Sequence, residues 1–359
     1  MVRVMTSQFG NPSSTGHLYG CEAAEIIADA RVAVAGLINA EPEGIAFLRG
    51  PAAAADAVLR SIALRRSKNG TRVLSTPVEH RAILDAINAL QNVGSEVRWL
   101  GVDSRARLDL KEIETKLDGG CDILCVMAAN NEVGTVYPIG EIAKLAADRA
   151  VPLLVDATQV AGHLPVDVSE WGEGYLLFGA HKLYGPKGIC AVAVCGTDPV
   201  AIRDRERGEG TANVAAIAGF GEACRLRSLE MDEEGQRIAD LRDRLESALG
   251  RAIVGLVVNG DIENRLPGNL HVSIPGVPGE AVVARLSQTV ALSTGAACQS
   301  GTDQPSHVLT AMGLSDTVIE GAVRIGLGKT NTVEDIDLAC RLIVAAAKEI
   351  RQQMANGGN

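Results

Sequence analysis

A lysine in a glycine-rich turn offers the first chemical possibility in this chain. Residues 179–188 read Gly-Ala-His-Lys-Leu-Tyr-Gly-Pro-Lys-Gly. They come after an apolar run, Tyr175-Leu176-Leu177-Phe178, with the pattern of a buried strand. Gly179, Gly185, Pro186 and Gly188 make this stretch a turn rather than a helix. A lysine at the mouth of a sheet can have its ammonium desolvated and its pKa lowered, as an amine needs to form a Schiff base with a carbonyl. Taken alone, Lys182 is a solvated loop lysine. Its companions decide the matter.

Upstream, Leu153-Leu154-Val155 is a short buried-strand run that ends in Asp156-Ala157-Thr158-Gln159. An acid at the carboxyl end of a strand sits where α/β sheets bind ligands. Pyridoxal phosphate needs an acid against its ring nitrogen, because the protonated ring is the electron sink, and a lysine for its aldehyde. Asp156 and Lys182 can form that pair, with Gln159 donating to the ring oxygen. The alternative for Asp156 is a helix cap or turn residue.

Three motifs in order, DATQ from Asp156, HKLYGPKG from His181 and STGAACQSGTDQPSHVL from Ser293, resemble the cysteine desulfurases of the aminotransferase class V group, on the NifS/IscS branch. The likeness runs from about Phe9 to the last helix. It implies an α/β chain of PLP-dependent fold type I. A large domain over 9–230 would hold a mixed, mostly parallel seven-stranded sheet. A smaller C-terminal α+β domain over 231–359 would carry the cysteine loop. A Leu-Asp-Asn-Ala-Thr-Thr-like motif that precedes this region in the family has no counterpart, so that segment is expected to be clipped from this chain or dispensed with.

The elements that must position these residues come from periodicity. Helices are expected over 22–38, 51–65, 77–90, 215–249 and 279–286, with a last one from Thr332, where Asp335 completes an approximate capping box. Strands are expected over 44–48, 72–76, 123–128, 189–194, 270–274 and 322–327. Residues 1–8 carry no clear signal, and 195–210 read as a charged connection. A chain of 359 residues exceeds one comfortable core, which agrees with two domains.

Bulk properties narrow the function. A net charge of -10 speaks against a nucleic-acid-binding surface, which needs clustered Lys and Arg. No apolar run is long enough for a membrane span and no signal peptide is visible. The eight cysteines are scattered, most of them in apolar runs, and Cys121 and Cys125 lack a second Cys/His pair, so no metal site is expected. This cysteine usage points to the reducing cytoplasm.

Further roles are implied by the resemblance. His80 would stack on the cofactor ring and pass protons; its alternative is a helix-start histidine. Asn131, in Asn130-Asn131-Glu132-Val133-Gly134, would contact substrate carboxylate and cofactor. Arg324 would grip the carboxylate through a bidentate fork, where a lone strand arginine is otherwise structural. Gly50 and the helix after it would hold the cofactor phosphate on backbone N–H groups, assisted by His181. Thr211 would reach the neighbouring subunit's phosphate, which implies a homodimer. The chain departs from the family pattern at Pro51, at Ala52 in place of threonine, at Gly179 in place of serine, and at Gly208 in place of arginine. Each hydrogen bond lost to a charged group is worth roughly 1.5–3 kcal/mol. Arg49 can compensate if its side chain turns inward.

Cys298 lies among Gly295, Ala296, Ala297, Ser300 and Gly301, which cannot build a core around it. An accessible thiolate there is a nucleophile. The implied reaction converts L-cysteine to L-alanine, leaves a persulfide on Cys298 and passes the sulfur to an acceptor protein for iron–sulfur cluster or thio-modification pathways. The alternatives are a related selenocysteine or cystine lyase, or a degenerate subunit with weak or no cofactor binding that acts through a partner.

Overall fold

The computed structural model describes residues 1–66, 70–294 and 305–356. The chain divides into two compact units. The first comprises Met1–Leu100, Leu110–Ala128 and Pro138–Met231, and the second Gly101–Asp109, Ala129–Tyr137 and Asp232–Asn359.

In the first unit the elements are α1 (Val2–Ser7), α2 (Leu18–Ile38), β1 (Ile45–Leu48), α3 (Pro51–Arg66), β2 (Arg72–Ser75), α4 (Arg81–Gln91), β3 (Glu96–Trp99), α5 (Leu110–Asp118), β4 (Ile123–Met127), α6 (Ile139–Ala147), β5 (Leu153–Asp156), β6 (Gly174–Gly179), β7 (Cys190–Cys195) and α7 (Val200–Gly208). The long α8 (Val214–Ala252) comes next; its residues up to Met231 belong to the first unit. Seven strands form one sheet in the order β1-β7-β6-β5-β4-β2-β3. Neighbours are parallel except that β7 runs antiparallel to both β1 and β6. Strands β4, β5 and β6 are buried at every residue, as expected where both faces of a parallel sheet are covered. On one face, Ala54, Ala55, Val58, Leu59 and Ile62 of α3 pack with Ile83 and Ile87 of α4 against strand residues such as Cys125, Leu154 and Leu177. Alanines let α3 lie close to the sheet. The alternation of β7 puts β1 parallel to β6, so the carboxyl ends of β1, β6, β5, β4 and β2 share one edge.

Four elements differ from the sequence expectation, one of them α4, which begins at Arg81 rather than at residue 77 because His80 is its cap. Residues 1–8 contain α1, whose Val4 packs with Ala23 and Val214. Helix α2 starts at Leu18 because the His17 Nδ1 accepts the Gly20 N–H and caps it. The charged run at 203–207 is helical α7, with Ile202 as its buried anchor.

The second unit contains the rest of α8, then β8 (Val257–Val258), β9 (Asn269–Ser273), α9 (Gly279–Leu286), α10 (His307–Ala311), α11 (Asp316–Glu320), β10 (Ala322–Gly326) and α12 (Val333–Asn356). Its sheet has the order β10-β9-β8, antiparallel throughout. The period of two sorts the faces. Leu270, Val272, Val323 and Ile325 join Leu245 and Leu249 of α8, Val282 of α9, and Ile336, Ile343 and Ile350 of α12 in one apolar core. On the opposite face, polar His271, Ser273 and Arg324 alternate with them, and Arg324 stands directly across from His271. Among the described residues no helix is long and apolar enough to cross a membrane, and no group of three His, Cys, Asp or Glu side chains can hold a metal ion.

Candidate active site

The shared edge of the large sheet collects the titratable residues of the first unit. Asp156 is the last residue of β5 and is 5% exposed. Its Oδ1 accepts the Thr158 N–H at 2.9 Å, fixing the turn. Next to it the Thr158 hydroxyl is buried with no hydrogen-bond partner among the described residues. Gln159 is half-buried. From the end of β6 the chain enters a 3-10 turn, Ala180–Lys182, that exposes His181 and Lys182. Burial first, then the charges of Lys182, His80 and Lys187, push the His181 imidazole below its ordinary value, while Asp156 opposes them. His181 thus shares one electrostatic neighbourhood with His80, Asp156 and Lys182.

The lysine turn is braced from behind. His163 Nε2 lies 2.7 Å from the Lys182 carbonyl, so the ring donates there. The same imidazole meets Tyr184 edge-on, with centroids 6.1 Å apart. Tyr184 adopts a left-handed φ of 67°, unusual for a bulky residue and a form of strain that clusters at functional sites. Arg227, 2% exposed, holds it with a cation–π contact at 5.4 Å and anchors its own Nε on the Gly162 carbonyl.

His80 is both a helix cap and a member of this cluster. Its Nδ1 accepts the Ala82 N–H at 3.1 Å, so in the neutral ring Nε2 carries the proton. The preceding residue was not singled out from sequence. Glu79 is fully buried, and its Oε1 accepts from Thr76 Oγ1 at 2.8 Å and from the Met127 N–H at 2.9 Å, tying the ends of β2 and β4. Burial, with a smaller push from Asp156, raises its carboxyl to about 8.

The phosphate end is less regular. Helix α3 opens at Pro51, and a Cβ added to Gly50 would meet nothing within 4 Å, so space remains at the helix head. A Cβ at Gly179 would lie 2.9 Å from His181 Nδ1 and 3.7 Å from the Pro51 ring. The imidazole therefore fills the place a side chain at 179 would take, beside the start of α3. Arg49 points away, its Nη2 donating to the Glu209 carbonyl and its Nε 3.6 Å from the Glu209 carboxylate. Thr211 is exposed. An acid, a lysine, two imidazoles, an unsatisfied hydroxyl and an open helix N-terminus fit pyridoxal phosphate, with fewer hydroxyls at the phosphate than the family pattern supplies.

In the second unit, Asn131 is buried, and its side-chain oxygen has no hydrogen-bond partner among the described residues. Its carbonyl accepts from Arg324 Nη1 at 2.9 Å, and Arg324 Nε reaches Ser293 Oγ at 3.2 Å. Gly134 allows the loop its turn: it has a φ of 79°, and a Cβ there would strike the Asn269 side chain at 2.8 Å. Below Arg324, His271 is fully buried and held neutral, its pKa lowered to about 3 by burial and then by Arg324. Glu132, not singled out from sequence, and Ser306, the serine of the Pro-Ser-His run in the third motif, are joined by a buried hydrogen bond. The only signal for Glu132 was its place directly after Asn131, whereas Pro305-Ser306-His307 marked a helix start, and Ser306 does cap α10. Cys298 lies outside the described residues.

Comparison with known proteins agrees along nearly the whole chain. The model of the aminotransferase class-V family matches residues 1–198 and 200–338. A cysteine desulfurase IscS of Anaeromyxobacter dehalogenans is 36% identical over 360 residues, covering 98% of this chain and 89% of that protein. A mitochondrial cysteine desulfurase of Arabidopsis thaliana is 35% identical, covering 96% of this chain and 78% of that protein. The solved structure of a NifS-like protein superposes with a TM-score of 0.86 at 30% identity, covering 96% of this chain and 93% of that one. The lysine turn, the acid at the end of β5 and this near-complete match agree: the chain belongs to the aminotransferase class-V family, among the pyridoxal-phosphate-dependent cysteine desulfurases of the NifS/IscS type with fold type I.

Proposed function

We propose that this protein converts L-cysteine to L-alanine and receives the sulfur on Cys298 as a persulfide. The observation that carries the reading is the meeting of Asp156, His80, His181 and Lys182 at one edge of the large sheet. Bound pyridoxal phosphate supplies the electron sink for breaking bonds at the substrate carbons. Asp156 would hold the proton on the ring nitrogen, and Gln159 would donate to the ring oxygen. The amine of Lys182 would hold the aldehyde end and carry a proton, and His80 would carry one at Nε2. Gly50, the start of α3 and His181 hold the phosphate. Asn131 and the Arg324 fork bind the substrate carboxylate.

The Cys298 thiolate attacks the substrate sulfur. An S–S bond forms, the Cβ–S bond breaks, and its electron pair stays with carbon. The proton taken from Cα is replaced and one more completes the methyl group of L-alanine. A sulfur-acceptor protein then takes the outer sulfur, serving iron–sulfur cluster or thio-modification chemistry. Exposed Met1, Val2, Met5, Phe9, Leu18 and Tyr19, with exposed Thr211, support association with a second copy in a homodimer. The free thiols support a reducing compartment, the cytoplasm.

Absorbance of the purified protein with pyridoxal phosphate tests this reading. A visible band at about 400–430 nm is expected from the lysine–cofactor linkage, and Lys182→Ala should abolish it. Alanine and sulfide formation from L-cysteine should persist in neither Lys182→Ala nor Cys298→Ala. A protein that stays colourless with excess cofactor would overturn the reading.

A further inference from the structure

The loop that carries Asn131 also carries an acid for which the proposed chemistry has no role. Glu132 is 3% exposed. Burial raises its carboxyl to about 7, against the hydrogen bond from Ser306 and the positive charge of Arg324. Ser306, equally buried, donates its hydroxyl to Glu132 Oε2 at 2.5 Å and accepts the Leu309 N–H at 3.2 Å. One hydroxyl thus caps α10 and ties it to the acid. The Glu132 backbone is fixed as well. Its N–H donates to Asn130 Oδ1 at 2.9 Å, and its carbonyl accepts from Asn269 Nδ2 at 3.1 Å. One residue earlier, the Asn131 carbonyl receives Arg324 Nη1. Segments distant in sequence, around 131, 293, 306 and 324, are therefore joined through hydrogen bonds that converge on this loop.

We propose that Glu132 is a positioning residue for the carboxylate grip: by accepting the Ser306 hydroxyl it fixes the loop whose Asn131 carbonyl aims the Arg324 fork. The inference rests on the reading of Arg324 as the substrate-carboxylate ligand. The Ser306 hydroxyl needs only an acceptor oxygen, which an amide provides as well as a carboxyl does. Near neutrality the acid is already partly protonated, so glutamine is a close substitute.

The test is the L-cysteine concentration dependence of turnover, with L-alanine binding followed by visible absorbance. L-alanine presents the same carboxylate without a thiol. Glu132→Ala and Ser306→Ala should each raise KM and the L-alanine Kd about tenfold while kcat stays within about threefold, because the interaction lost serves binding. Glu132→Gln should stay within about twofold of the parent in both, since the acceptor is kept. If Glu132→Ala does not fold, as judged by circular dichroism, Ser306→Ala carries the test, since it leaves the buried acid in place and removes the hydroxyl that ties it to α10. Unchanged KM in Ser306→Ala, or a Glu132→Gln defect as large as that expected for alanine, would overturn the proposal. Arg324→Lys separates the two levels. If it too leaves KM and the L-alanine Kd unchanged, the carboxylate reading fails and the proposal with it. If it impairs both while Ser306→Ala does not, the proposal alone fails.

Discussion

Glu79 and His271 sit in buried places that select their neutral forms, and the two have opposite consequences for stability. The Glu79 carboxyl is raised from 4.5 to about 8 by burial, so the folded state binds its proton more tightly than the unfolded chain does. Its contribution is fully present below pH 4.5 and is lost as pH rises through about 8. Glu79→Gln keeps an acceptor for Thr76 and Met127 and removes the titration. Urea midpoints of this variant should therefore match the parent near pH 4 and exceed it at pH 9. His271 behaves in the reverse sense. Its pKa is lowered from 6.5 to about 3, so its contribution is present above 6.5 and declines as pH falls toward 3. His271→Asn should be less sensitive to acid than the parent, by the same measurement between pH 6 and 4.

Among the elements, α12 has the clearest local specification. The Thr332 N–H donates to Asp335 Oδ2 at 3.0 Å, and the Asp335 N–H to Thr332 Oγ1 at 3.3 Å, a reciprocal capping pair. Asp335→Ala should cost about 0.5–2 kcal/mol of stability, read as a lower denaturation midpoint with an unchanged slope. That cap was legible in the sequence, as were β4, β5 and β6, whose unbroken apolar runs reflect burial on both faces. Helices α1 and α7 were not. The first is six residues long and held by one buried valine, and the second has Ile202 as its one buried residue. Site residues embedded in motifs could be read by resemblance. Glu79, Glu132 and His163 could not, because Met127, Ser306 and Lys182, which they meet, lie far along the chain and only folding brings them into register. The same holds for residues 101–109 and 129–137, which cluster with the second unit although they lie among sequence segments of the first.

At the scale of the whole molecule, cofactor binding and folding are one equilibrium. A ligand at one hundred times its Kd adds about 2.7 kcal/mol to the stability of the state that binds it. Thermal unfolding should therefore move upward with pyridoxal phosphate concentration. Lys182→Ala should reduce that shift without lowering the midpoint of the cofactor-free protein, since the side chain is exposed. The distribution of sulfur through the molecule has a consequence of another kind. Cys125 and Cys190 are fully buried with pKa values far above the ordinary thiol range, and burial raises Cys121 and Cys195 to about 11. Cys224 is likewise raised by burial, and Cys340 is raised to a smaller degree. Cys21 alone among the described cysteines is exposed. For a catalyst that handles sulfane sulfur, this is insulation: a mobile sulfur atom finds almost no internal thiolate on which to scramble. Brief alkylation at neutral pH should accordingly tag Cys21 and spare the other described thiols until denaturant is added, a difference that peptide mass mapping would record.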